Sequence, residues 1–124
     1  MRDHTKLRAF ELADALALSV YRMTRAFPKE ELFGLTSQMR RAAVSIASNI
    51  VEGCGRRSQA DFVHFLDMAY ASTRELGYQA SLTYRLDYLD EAAYRSLHSQ
   101  CEETAKVLNG LIHSMRRQPD PPGR

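Results

Sequence analysis

A strict apolar repeat in the second half of the chain limits most strongly what this sequence can fold into. Between residues 62 and 83, apolar or small residues recur at alternating steps of four and three, the spacing of one face of a helix in a bundle or coiled coil. They are Phe62, Leu66, Ala69, Thr73, Leu76, Ala80 and Thr83. The chain also contains only 6 Gly and 4 Pro, too few to separate many short strands. The sequence therefore predicts an all-α protein.

Three further segments carry residues of this kind at helical spacing, at residues 10–27, 35–50 and 97–115. The inner face of the first comprises Phe10, Ala13, Ala17, Val20, Thr24 and Phe27, and that of the last comprises Leu97, Cys101, Thr104, Leu108, Leu111 and Met115. Four helices with short connections favour antiparallel neighbours. We therefore predict an antiparallel up-down-up-down four-helix bundle over residues 1–117, followed by a disordered, proline-rich C-terminal tail at residues 118–124.

Residues typical of helix ends separate these segments. Thr36 or Ser37 is suited to cap the second helix. The glycines at residues 53–55 are suited to stop it, since glycine readily takes the left-handed conformation common at helix ends. Ser58 predicts the start of the third helix, and residues 87–90 the turn before the fourth.

The sequence predicts a reducing, cytoplasmic environment. Cys54 and Cys101 have neither the spacing of a zinc site nor that of a disulfide framework. Glu11 and Asp14 interrupt the N-terminal segment before a signal-peptide core could form, and no apolar run approaches the ~20 residues that cross a bilayer. We expect no membrane association.

The second predicted helix lacks the charged face expected of a surface helix. No charge occurs from Ala42 to Val51, roughly three turns, and Val44 lies off the predicted inner face. Either the third helix covers this face within the monomer, or it forms the interface of a closed homo-oligomer. We favour an interface in which polar groups hydrogen-bond between subunits. Its predicted residues are Arg41, Val44, Ser45, Ser48, Asn49, Val51 and Glu52.

Basic residues gather at one predicted end of the bundle. Up-down topology brings together the start of the first helix, the turn after the second and the end of the fourth. These segments contain only Asp3 and Asp120 as acidic residues, against Arg2, Lys6, Arg8, Arg56, Arg57, Arg116, Arg117 and Arg124. The whole chain has a net charge of only +2, so its charge is strongly polarised.

This distribution predicts a surface for nucleic acid. In a cyclic oligomer the basic ends would form a ring, and arginine suits phosphate backbones. The alternative is that turns and chain ends simply carry solvated charge. The predicted nucleic-acid-binding residues at this end are Lys6, Arg8, Arg56, Arg57, Arg116 and Arg117. Arg40 and Arg41 form a second candidate at the opposite end.

No catalytic, metal or cofactor site is predicted. Asp61 and His64 match only one half of the paired motif of a two-metal bundle, and His98 with Glu102 lies nearer the other end. Cys54 could be a mildly activated thiol, but no histidine accompanies it in the local sequence. The sequence also lacks a phosphate-binding glycine loop and a nucleophile elbow. We therefore predict a protein that is not an enzyme.

A set of short motifs covers the chain except its tail. They are Phe27-Pro28, Gly34-Leu-Thr-Ser-Gln-Met-Arg-Arg-Ala42, Ser45-Ile46, Ser48-Asn49-Ile50, Glu52-Gly53, Arg57-Ser58, Asp61-Phe62, Phe65-Leu66 and Glu75-Leu76. Together these motifs resemble a known bacterial family, the four-helix-bundle proteins called 23S rRNA intervening-sequence proteins. The chain departs from the family pattern at Ala47, often a proline there, and at Gly77, where a bulkier or acidic residue is usual.

The resemblance implies a barrel-like homopentamer and kinship with the accessory protein of diversity-generating retroelements, which binds nucleic acid and works with a reverse transcriptase. It brings no catalytic residues. It implies a role in packing and assembly for Gln38, Arg41, Ser45, Asn49 and Glu52. We therefore expect a non-enzymatic oligomer that binds RNA or DNA through its basic end. The alternative is a homo-oligomeric scaffold that binds a protein partner, such as a reverse transcriptase, and no nucleic acid.

Overall fold

The computed structural model describes residues 2–118. Four α-helices account for most of this part of the chain, and residues 2–118 contain no strand: α1 is Arg8–Thr24, α2 is Leu35–Cys54, α3 is Gln59–Arg85 and α4 is Glu91–Arg116. Short 3₁₀ turns precede α1, at His4–Lys6, and α2, at Lys29–Glu31. The predicted all-α class is confirmed. Of the predicted tail, Gln118 forms a bend after α4, and residues 119–124 lie outside the described residues.

The helices form the predicted antiparallel bundle. α1 packs against α2 and α4, and α3 packs against the same two helices. The start of the chain meets the end of α2, where the Arg2 backbone N–H donates to the Cys54 carbonyl at 2.8 Å. At the same end, the Gln59 side chain at the start of α3 donates to the Met115 carbonyl near the end of α4. The up-down-up-down order is thus confirmed.

The core follows the predicted repeat closely in α3 and less closely in α1 and α4. All seven stripe positions of α3 are buried. In α1, Leu16 is fully buried, and in α4, Ile112 is buried. Both were outside the predicted stripes, because a straight helix of 3.6 residues per turn drifts by about 20° per heptad from a 3.5-residue repeat. The predicted core residues Phe10, Ala17, Leu111 and Met115 are only partly buried against the core.

The predicted cap of α2 is wrong. The helix begins one residue before Thr36, which is buried, and Gly34 occupies the cap position without a side-chain bond. A carboxylate from the preceding 3₁₀ turn replaces the cap: Glu31 Oε1 accepts from the Leu35 backbone N–H at 3.1 Å. The other oxygen, Oε2, accepts from the Tyr88 hydroxyl at 2.9 Å. The Glu31 side chain therefore joins the segment between α1 and α2 to the α3–α4 turn.

The glycines at the end of α2 act differently from the prediction. The helix ends at Cys54 as expected, but Gly55 keeps a right-handed conformation with φ −83°. Gly53 is inside the helix and buried. A Cβ there would lie 2.9 Å from Phe65 Cβ and 3.3 Å from the Phe62 ring. Gly53 thus allows the close approach of α2 and α3.

The start of α3 and the turn between α3 and α4 follow the prediction. Ser58 caps α3, its hydroxyl accepting from the Asp61 backbone N–H at 3.0 Å. Asp90 caps α4 by accepting from the Ala93 backbone N–H at 2.8 Å. Between the helices, Asp87 has a φ of 64°, a left-handed conformation that aspartate tolerates better than most residues. The turn at residues 87–90 is therefore confirmed.

Candidate nucleic-acid and assembly surfaces

The predicted basic residues come together at one end of the bundle, which we call the Arg-rich end. It comprises Arg2, Lys6, Arg8, Arg56, Arg57, Arg116 and Arg117. Two of its guanidinium groups lie over aromatic rings at the start of α3, Arg2 at 4.0 Å from the centre of the Phe62 ring and Arg56 at 4.8 Å from that of Phe65. Such stacking fixes the orientation of an arginine side chain while its charge stays at the surface.

Carboxylates from the adjacent helical turns pair with three of these arginines. Arg8 lies 2.5 Å from Glu103, Arg56 lies 2.9 Å from Glu52, and Arg116 lies 2.7 Å from Asp67. All six side chains are substantially exposed, so the pairs contribute little to stability. They reduce the local positive charge, which the sequence count overstated because the partner acids lie outside the segments counted. Within residues 2–118, Lys6 and Arg117 form no ion pair.

Arg40 and Arg41, the second predicted candidate, have different surroundings. Arg40 is half-buried, lies over the Tyr21 ring at 4.7 Å and donates from Nε to the Thr24 hydroxyl at 2.8 Å. Arg41 is exposed and pairs with Glu75 on α3 at 2.9 Å. Arg40 therefore holds α1 against α2, and Arg41 connects α2 to α3.

Several polar residues of the predicted α2 interface have partners within the chain. The Ser45 and Ser72 hydroxyls share a hydrogen bond of 3.0 Å between α2 and α3. Asn49 donates to the Ser45 carbonyl at 2.8 Å, and Gln38 accepts from Arg41 at 2.8 Å. Hydrogen bonds between subunits stay a prediction, but these polar groups do not need such bonds to be satisfied.

The outer face of α2 is apolar and uncovered in the single chain. Val44 is 42% exposed and Val51 is 39% exposed, and Ser48 is exposed between them. α3 therefore does not cover this face fully, and it is available as the predicted interface.

Next to Val44 lies an apolar surface that the spacing of the helical faces does not predict. Phe33 is 92% exposed in the α1–α2 connection, beside Leu32. Both residues line a shallow cavity of about 680 Å³ together with Tyr21, Arg40 and Val44. The sequence signal for this surface was the apolar pair Leu32 and Phe33 within a charged connection. The pair lies outside the helical faces, so their spacing does not indicate it.

The thiols and carboxylates of residues 2–118 do not come together in a reactive centre. Both cysteines are free and buried. Burial raises the pKa of the Cys54 thiol, although Arg2 opposes the shift, so the activated thiol considered from the sequence is not supported. Within residues 2–118, no three His, Cys, Asp or Glu side chains are grouped as metal ligands would be.

A second feature missed from the sequence is a cleft of about 280 Å³ between α3 and α4. Its lining includes the half-buried Gly77, the exposed Tyr78 and the half-buried Tyr94. Tyr84 stacks on Tyr94 with ring centres 4.5 Å apart and planes at 9°. The glycine within a long helix was the signal that could have indicated this cleft.

None of the helices in residues 2–118 combines the length and the apolar character that crossing a membrane requires.

The fold and these surfaces define a small antiparallel four-helix bundle with a charged end and an apolar helix face. The family model described as "23S rRNA-intervening sequence protein" matches residues 5–110. The chain therefore belongs to this family, and the resemblance noted in the sequence is confirmed. The description of the family names no reaction.

Solved structures agree with this assignment. The chain is similar to a crystal structure, at 1.70 Å resolution, of a protein of unknown function from the S23 ribosomal protein family of Bacteroides thetaiotaomicron VPI-5482. The two share 25% sequence identity with a TM-score of 0.79, over 85% of this chain and 95% of the other. Among curated proteins, none is significantly similar to the chain.

Proposed function

We propose that the chain is a non-enzymatic, self-associating four-helix bundle that binds nucleic acid, RNA or DNA, through its Arg-rich end. The observation that carries the proposal is the gathering of seven basic side chains from three separate segments at one end of a nearly neutral molecule. Arginine binds phosphate in a bidentate manner, and such binding tolerates different nucleic-acid sequences. The proposed contacts are Lys6, Arg8, Arg56, Arg57, Arg116 and Arg117. Arg40 and Arg41 are a weaker second surface, because only two arginines form it and Arg40 is half-buried.

Self-association would place several Arg-rich ends on one side of the assembly. The exposed Val44 and Val51 on the outer face of α2 support an interface there, with Gln38, Arg41, Ser45, Ser48, Asn49 and Glu52 around them. The family resemblance suggests a homopentamer. A closed ring would multiply weak phosphate contacts without adding any to the single chain.

A second candidate function is a homo-oligomeric scaffold that binds a protein partner and no nucleic acid. The pairing of Arg8, Arg56 and Arg116 with carboxylates favours it, because paired guanidinium groups attract phosphate less strongly. The exposed Phe33 and Leu32 also supply the kind of apolar surface that a protein partner would cover.

The salt dependence of binding distinguishes the two functions. We expect the wild-type chain to bind a short DNA duplex at low salt, as measured by fluorescence anisotropy, and to lose affinity as salt rises. Replacing both Lys6 and Arg117 by Gln removes two charges without leaving a carboxylate unpaired. In a plot of log affinity against log salt, the slope should then fall by about 2.

The matched control replaces Arg22 and Arg25 by Gln. Both are exposed near the end of α1, away from the Arg-rich end, and the change in net charge is the same. A slope that falls equally in the control would show nonspecific charge attraction instead of a site. Wild-type protein that ignores the duplex at low salt would leave the scaffold as the function.

Light scattering tests the interface separately. We expect the wild-type mass to be a multiple of the 14.1 kDa chain and Val44→Glu to reduce it, because the substitution places a charge on the apolar face. The control is Leu18→Glu, on α1, where the side chain is 51% exposed. A wild-type mass of one chain would exclude self-association.

A further inference from the structure

The cleft between α3 and α4 exists because two small residues face it at mid-length. Gly77 and Ala105 both line it. A Cβ built at Gly77 meets nothing within 4 Å, so close packing does not require glycine there. Glycine within a helix is less favourable than alanine. The chain thus carries an unfavourable residue whose visible structural effect is to leave space.

Aromatic rings line this space. Tyr78 is 62% exposed and makes no ring contact within residues 2–118. Tyr94 is held by the stacked Tyr84, and its ring centre lies 5.8 Å from that of His98. Exposed or half-buried rings around a narrow space favour a flat aromatic occupant, because nucleobases stack on aromatic side chains whatever their sequence.

Polar groups of both signs lie in the same lining. Arg74 and Glu102 are 4.0 Å apart, with side chains 63% and 58% exposed, and Arg74 makes no hydrogen bond within residues 2–118. At 4.0 Å its pair with Glu102 is long and exposed to water, so a phosphate can compete for the Arg74 guanidinium. The carboxylate of Glu102 can then accept from an amino group of a base. Cys101 in the wall is buried, and burial raises the pKa of its thiol to about 12, so this part of the wall is uncharged.

We propose that the α3–α4 cleft binds a single nucleobase carried by a nucleotide, with the base against Tyr78 and Tyr94 and the phosphate at Arg74. The cleft is lined by residues that do not belong to the Arg-rich end, and the site does not depend on the function proposed for that end. Both a free mononucleotide and one base of a single strand present this chemistry.

Titration of the full chain with AMP, followed by NMR chemical shifts, tests the site. We expect shifts concentrated at Gly77, Tyr78, Tyr94 and His98. Ribose 5-phosphate, which lacks the base, should bind on the order of tenfold more weakly, and Tyr78→Ala should weaken AMP by a similar factor, as expected for the loss of one base–aromatic stack. Equal binding of both ligands, or shifts spread over the surface, would overturn the proposal.

Gly77→Leu fills the cleft and should abolish AMP binding. Gly110→Leu is the matched control, since Gly110 is an exposed glycine of α4 where a Cβ also meets nothing within 4 Å. Unchanged AMP binding in a folded Gly77→Leu variant would overturn the site. The exposed position of Tyr78 makes Tyr78→Ala a second test that does not depend on how the helix tolerates leucine.

A single-stranded oligonucleotide and a duplex identify the source of the base. A strand that binds more tightly than AMP and loses affinity in Gly77→Leu indicates strand binding, whereas AMP binding without added affinity from the strand indicates a free nucleotide. If Gly77→Leu weakens neither the binding of AMP nor the binding of the strand, the proposal is overturned. The bases of a duplex are already stacked on one another, so duplex binding reports on the Arg-rich end alone. Failure of one proposal can therefore be seen without failure of the other.

Discussion

A glycine lies at each interface of α3, Gly53 at the interface with α2 and Gly77 at the interface with α4, and the two glycines have opposite effects on helix packing. Against α2, Gly53 removes a side chain where Phe65 Cβ would be only 2.9 Å from a Cβ. Against α4, Gly77 faces open space. The first glycine lets two helices approach closely, and the second leaves a cleft. The difference teaches that the effect of a helical glycine depends on the side chains opposite, which belong to another helix.

The largest expected effect breaks the close contact. Gly53→Leu should lower the free energy of unfolding by about 3 kcal/mol, near the upper end of typical overpacking costs, because the Phe62 and Phe65 side chains must move. Urea denaturation followed by circular dichroism measures this. Gly110→Leu is the control on an open surface. Equal stability of the two variants would mean that α2 and α3 are not closely packed at Gly53.

A smaller effect tests how dry the wall of the cleft is. Burial raises the pKa of Cys101 to about 12, from an ordinary value of 9.0. Below pH 9 the thiol is protonated in both the folded and the unfolded chain. As the pH rises from 9 towards 12, the unfolded chain loses the proton first, so the thiol contributes a loss of stability of about 1 kcal/mol by pH 10.

Cys101→Ala isolates this contribution, since other groups titrate in the same range. The difference in unfolding free energy between wild type and Cys101→Ala should shrink by that amount between pH 8 and pH 10. A difference that does not change with pH would show that water reaches the thiol, and the cleft would then extend deeper than the structure indicates.

The smallest expected effect concerns the open glycine. Gly77→Ala should raise the free energy of unfolding by about 0.5–1 kcal/mol, because the helix gains propensity and the new methyl group meets no atom. Thermal unfolding of Gly110→Ala gives the reference for propensity alone. A Gly77→Ala variant that is less stable than wild type would mean that α3 and α4 approach each other more closely than described.

Much of the fold was predictable because the buried faces follow local periodicity. The seven stripe residues of α3 and its Ser58 cap depend on residues close in sequence. The cap of α2 was missed although Glu31 is close in sequence, because its carboxylate acts from the preceding 3₁₀ turn and not from the position next to the helix. Gly34 leaves room for this carboxylate, since a Cβ there would lie 2.6 Å from Glu31 Oε1.

The candidate surfaces were predictable in position but not in pairing. Up-down topology placed Arg8, Arg56 and Arg116 at one end. That Arg8 meets Glu103 and Arg116 meets Asp67 depends on the register between distant helices, which no local pattern fixes. The α3–α4 cleft was missed for the same reason, because spacing within α3 identifies Gly77 but not what lies opposite it.

The two bonds of Glu31 have a consequence for the motions of the end opposite the Arg-rich end. One carboxylate holds the first turn of α2 through Leu35 and the α3–α4 turn through Tyr88. Glu31→Gln would weaken one hydrogen bond in each connection at once, so amide protons of both segments should exchange with solvent faster than in the wild type.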